Sequence, residues 1–119
     1  MGLFRKKTER ISRSKNPESK RYRKDMARHL DKKQLKCVTV RDENGRESVI
    51  GREGDLLVRG DEFVVYASGK ILMRCRIVDM SAWELLSLEG VVITAPDLDR
   101  DGEEHTLIAY YKYWRKMEN

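Results

Sequence analysis

The run with the most suggestive chemistry is Asp97-Leu98-Asp99-Arg100-Asp101-Gly102. Carboxylates at the first, third and fifth positions, with Gly at the sixth, match the start of a Ca²⁺ loop. Alternate residues there aim oxygens at one centre, and Gly permits the sharp turn. The pattern then stops. Ile108 stands where a bidentate carboxylate belongs, and Arg100 adds a counter-charge. Asp and Gly are also ordinary turn residues, so an exposed acidic hairpin loop is the favoured expectation. Weak Ca²⁺ binding by Asp97, Asp99 and Asp101 is the alternative.

The remaining catalytic inventory is thin. It consists of His29, His105, Cys37 and Cys75, with no nucleophile elbow and no recognised His partner for a Ser or Cys. The two cysteines lack zinc or redox spacing and lie in strand-like runs, so two small buried thiols are expected. The expectation is a protein that is not an enzyme and takes no cofactor.

Anion binding is the second chemistry. Residues 1–36 hold 14 Lys and Arg against 4 Asp and Glu, a net charge of +10, whereas residues 37–119 carry −5. The mild overall charge of +5 therefore hides a basic arm on an acidic domain. Candidate anion-binding residues are Arg5, Lys6, Lys7, Arg10, Arg13, Lys20, Arg21, Arg23, Lys24 and Arg28. Three uses compete: a solvated arm whose helix docks on the domain, a grip on nucleic-acid phosphates, or contact with an anionic membrane through Leu3, Phe4 and Ile11. Two aromatics, Phe4 and Tyr22, are too few for a base-stacking platform.

The third candidate is the aromatic cluster Tyr110, Tyr111, Tyr113 and Trp114. Strand alternation assigns Tyr111 and Tyr113 to the core. Tyr110 and Trp114 then form either a partner-binding surface or, as favoured, the floor on which the helix docks.

Several elements must position these groups. Residues 1–16 read as a flexible basic arm. Asn16-Pro17-Glu18 has the capping residue, first-turn Pro and acidic residue of a helix start, predicting an amphipathic basic helix over 17–34. Its apolar stripe is Tyr22, Met26 and Leu30. Residues 35–114 switch to a period of two and form a β-rich domain, followed by a tail at 115–119. Strands are expected at 35–41, 46–50, 55–59, 62–67, 70–78, 90–95 and 105–114, with a hairpin loop at Asp42-Glu43-Asn44-Gly45 and a break at Gly51–Gly54. The clearest strand alternates Ile71, Met73, Cys75 and Ile77 with Leu72, Arg74 and Arg76. Asp79–Leu88 is either a short helix capped by Ser81 or an irregular crossover strand.

About seven short strands predict a mainly β (α+β) fold, a small antiparallel barrel or sandwich preceded by one helix. Without alternating strands and helices, a doubly wound nucleotide fold is excluded. No run approaches the ~20 apolar residues of a membrane span. Lys6 also stands where a myristoylation motif requires Ser or Thr.

The pieces GDLLVRGDEFVVYASGKILMRCRIVDMSAWELLSLEGVVIT and HTLIAYY, within residues 54–111, resemble small bacterial pleckstrin-homology-like or GRAM-like domains. That resemblance implies a closed β barrel serving as an interaction scaffold. The family closes its barrel with a C-terminal helix, but only Trp114–Asn119 follow the last strand here, so either helix 17–34 substitutes, or the barrel stays open, or the fold is a different one. The 42–47 loop is net acidic, unlike the family's basic lipid-binding loop. The combined expectation is a cytoplasmic, non-catalytic binding module. Its partner is a protein or an anionic surface, with a nucleic-acid accessory role and peripheral membrane association as alternatives.

Overall fold

The computed structural model describes residues 20–113. Helix α1 spans Lys20–Leu30 and buries Ala27 and Leu30. The expected start at Asn16–Glu18, the arm at 1–16 and the tail at 115–119 lie outside the described residues. The helix stops earlier than the predicted residue 34. Lys32 takes a positive φ of 70°, and its N–H turns away from the helix to donate to the Leu56 carbonyl at 2.6 Å. Chain reversal there starts the first strand at Gln34.

Seven strands follow: β1 (Gln34–Arg41), β2 (Glu47–Arg59), β3 (Glu62–Ala67), β4 (Lys70–Arg76), β5 (Ser81–Glu84), β6 (Gly90–Asp97) and β7 (Glu103–Tyr111). All pair antiparallel in one sheet of order β4-β3-β2-β1-β7-β6-β5. The Asp42 hairpin is as predicted. Its carboxylate accepts the N–H groups of Asn44 and Arg46, each at 2.9 Å, and Gly45 supplies a φ of 80°.

One expectation needs correction. The Gly51–Gly54 break is not a break, because β2 runs through it for 13 residues. Gly54 pairs with Leu35 on one side and Ala67 on the other, and a Cβ there would sit 1.8 Å from the Tyr66 carbonyl oxygen. The glycine permits this close approach of two neighbouring strands rather than ending one. Of the two readings for residues 79–88, a short helix or an irregular strand, the structure has a strand at Ser81–Glu84. A 3₁₀ turn at Ile77–Asp79 leads into β5, where Ala82 is buried and Trp83 faces out, a period of two.

The sheet is not closed into a barrel. No ladder joins β4 to β5 among the described residues. Instead β4 lies beside the far end of β6 and the 3₁₀ turn Leu98–Arg100, while α1 packs on the Ile77–Asp79 turn, β2 and β5. The enclosed core holds Leu30, Leu35, Leu56, Phe63, Met73 and Leu107, all fully buried.

Candidate binding surfaces

Asp97 lies at the end of β6 and is 1% exposed. A buried carboxylate must find donors, since leaving it unpaired is costly. Its Oδ1 accepts the Asp99 N–H at 3.0 Å and the Arg74 N–H at 3.3 Å, and its Oδ2 lies 3.6 Å from Arg100 Nε and His105 Nδ1. The Arg74 guanidinium spans two more carboxylates. Asp99 accepts its Nη2 and Nε at 3.0 and 3.3 Å, and Glu62 accepts its Nη1 at 3.0 and 3.1 Å. Asp99, then Glu62, raise the pKa of Arg74 above its ordinary value.

Asp101 stands apart, exposed and at a positive φ of 57°. The three carboxylates proposed as Ca²⁺ ligands are therefore directed to different tasks: two bind Arg74 and one faces solvent. Among the described residues, no group of three His, Cys, Asp or Glu side chains is arranged to hold a metal. The loop's work is to tie β4 to β6 where no ladder does.

Both cysteines are buried free thiols. Burial pushes the Cys75 thiol up to about 12, which keeps it protonated and unreactive near neutral pH.

Of the expected anion-binding residues, Arg5, Lys6, Lys7, Arg10 and Arg13 lie outside the described residues. Lys20, Arg21, Lys24 and Arg28 are exposed on α1. Arg23 differs: half-buried, it donates to the Val78 carbonyl and so helps hold the helix down. The docked face centres on Ala27 and Leu30, with Met26 at its margin and the Tyr22 hydroxyl donating to the Ala82 carbonyl at 3.0 Å. The predicted stripe of Tyr22, Met26 and Leu30 is thus rotated toward Arg23 and Ala27. Sequence hid this because an Arg can serve a docking face through its donors. Beside the helix lies an open groove of about 490 Å³. Ala27, Val58 and Ile77 contribute apolar lining, and Lys24, Arg28, Asp31 and Asp61 contribute charges.

The helix does not rest on Tyr110. Tyr111 and Ala109 belong to the core that includes Leu30, so Tyr110 between them faces the other side of the sheet. There its hydroxyl donates to Glu47 at 2.7 Å, while Thr39 donates to the same carboxylate at 2.8 Å. Those two hydrogen bonds hold the Glu47 carboxyl below its ordinary value, and burial followed by Glu47 pushes Tyr110 up to about 12. Trp114 lies outside the described residues. Tyr113, expected in the core, lies past the end of β7 and is 43% exposed.

Sequence reading missed the tip formed by β5 and the loop to β6. Trp83 is 45% exposed, Leu88 53% and Leu86 fully exposed at 105%. Leu88 also holds a positive φ of 65°. The readable signal was the placement of Leu86 and Leu88 around Ser87, just before Glu89-Gly90, in a segment too short to bury all its apolar residues. The tip sits beside the end of β7, because the Tyr111 N–H donates to the Glu89 carbonyl at 2.8 Å. The Tyr111 hydroxyl donates to Glu84 at 2.9 Å, and Lys33 Nζ lies 5.1 Å from the Tyr111 ring centre. Compared with protein-family models, curated proteins and solved structures, the chain shows no match.

Proposed function

We propose that this chain is a non-catalytic binding module whose docked helix presents cations to an acidic protein partner. One observation carries the reading. Helix α1 is fixed by Ala27 and Leu30, yet Lys24 and Arg28 stay exposed beside a groove with apolar lining. Apolar lining supplies affinity, and Lys24 and Arg28 on the helix side, facing Asp31 and Asp61 in the same groove, supply charge recognition on that wall. The basic residues 1–19 precede this helix in sequence and extend the same positive character. The sheet is open where the pleckstrin-homology-like resemblance implied a closed barrel, so the reading rests on a mainly β scaffold with one docked helix and not on that family.

The test is a photo-reactive amino acid in place of Asp61, on the groove wall, in the full chain mixed with extract of the source cells. Protein adducts that disappear at high salt, and in the variant carrying Lys24→Glu and Arg28→Glu, are the expected result. Nucleic-acid adducts would favour the accessory role instead. Adducts indifferent to both salt and charge reversal would remove the helix from the binding surface.

A further inference from the structure

We infer that Asn44 is a self-modifying site: the Asn44-Gly45 peptide closes to a succinimide and reopens with water to aspartate and isoaspartate, at a rate that Asp42 holds down. The chemistry has three requirements. The asparagine carboxamide must be free to move, the next backbone nitrogen must be open to attack, and water must reach the ring. The β1–β2 hairpin meets all three.

Asn44 is exposed, and its carboxamide makes no hydrogen bond among the described residues; only its backbone N–H is engaged, with Asp42. Gly45 follows and lacks the Cβ that would shield the attacking nitrogen. Apart from chain neighbours, no atom would lie within 4 Å of a Cβ built there, so the ring has room and water has access. Asn is among the thermolabile residues, and Asn44 is the Asn that precedes a Gly. Asn16 precedes Pro17, whose nitrogen has no proton to lose.

The step balances with water as its one co-reactant. Gly45 N loses its proton and attacks Asn44 Cγ. The new C–N bond replaces the Cγ–Nδ2 bond, and the amide nitrogen leaves as ammonia, carrying that proton. Water then adds to either ring carbonyl. One opening leaves an ordinary aspartate. The other routes the main chain through Cβ and lengthens it by a methylene.

The restraint is equally local. The Gly45 N–H donates to the Asp42 carbonyl at 3.0 Å, which occupies the nucleophile while the turn is closed. The Asp42 carboxylate keeps it closed by accepting the N–H groups of Asn44 and Arg46. Ring closure therefore waits on opening of the turn, and exposed loop tips open most readily. An added methylene displaces N–H groups that one carboxylate now holds together. The same turn sets the register of Arg41 against Glu47, whose carboxylate accepts from Arg41, Thr39 and Tyr110. Modification at the tip thus reaches the outer face of the sheet.

The test incubates the full chain in neutral and in mildly alkaline buffer, folded and in urea. The peptide spanning residue 44 is then followed by mass spectrometry, with isoaspartate separated by chromatography. Expected are conversion at residue 44 in the folded chain, faster in alkali, with isoaspartate the major product. Conversion in urea should be several-fold faster, as should conversion in folded Asp42→Ala. Asn44→Asp, which adds the charge but no methylene, should melt close to the parent, and the purified isoaspartyl form should melt lower. An amide that stays intact in the folded chain while urea releases it would overturn the proposal. Equal rates for Asp42→Ala, the folded parent and the parent in urea would remove Asp42 as the restraint. An isoaspartyl form as stable as Asn44→Asp would remove the effect on the sheet.

Discussion

At the β4 edge, Arg74 is gripped by Asp99 and Glu62 while its backbone N–H donates to the buried Asp97, so charge ties that edge to β6. At the β5 edge, a hydroxyl from the helix meets Ala82, and the strand runs out into Trp83, Leu86 and Leu88. Both edges face the same problem, unpaired strand groups that invite association. One is answered with interactions internal to the fold. The other is answered in part by the helix and leaves apolar surface outside. The polar cluster, which looks more like a site in sequence, is the structural one, and the plain leucines are the better candidates for contact with something else.

The contrast can be broken by substitutions of decreasing effect. Leu30→Ala should be the most damaging, at about 3 kcal/mol in urea unfolding, because it empties the contact that seats α1 over the open end. A loss well under 1 kcal/mol would mean that the helix is not what closes the β5 side. Asp97→Ala should remove about 2 kcal/mol by stranding the Arg74 and Asp99 N–H groups. Asp97→Asn, which keeps an acceptor, should lose less. If the two behave alike, hydrogen-bond acceptance is not Asp97's contribution.

Tyr22→Phe should cost about 1 kcal/mol by leaving the Ala82 carbonyl without its donor. A smaller change is expected in alkali. Tyr110 has a folded pKa raised from 10.0 to about 12, so the stability tied to its neutral form is complete below pH 10 and declines as pH rises toward 12. Tyr110→Phe should flatten that part of the stability profile, followed by unfolding at stepped pH. Leu86→Ser should leave stability within about 0.5 kcal/mol, since the side chain buries nothing. A larger loss would place the tip with the structural edge and erase the contrast.

Alternation carried much of this architecture in the sequence. Met73 and Cys75 are buried as their spacing foretells, whereas Ile71 of the same predicted face is exposed past a register shift and Ile77 is buried in the 3₁₀ turn rather than in the strand; the Asp42–Gly45 turn declares itself by residue type. Two kinds of information were out of reach. One is close backbone approach: Gly54 reads as punctuation until Tyr66 is known to lie against it. The other is long-range pairing of side chain with main chain. Arg74 and Asp97 are 23 residues apart, and Arg23 and Val78 are 55 apart, with no local pattern marking either. The acidic loop was legible as a cluster of carboxylates but not as a partner for Arg74. The tip was hidden because exposure is decided by what fails to cover a residue.

The position of β7 between β1 and β6 also sets an order of assembly. Strands β1 to β4 can pair one after another as the chain emerges from the ribosome, and β5 can pair with β6 later. Until Tyr111 has been synthesised, however, β1 and β6 each display an edge meant for β7. Pairings so distant in sequence form late and leave apolar strands exposed in the meantime. A chain truncated before residue 103 would hold two unfilled edges in the middle of its sheet, and chaperone capture or aggregation would be its fate rather than a smaller folded domain.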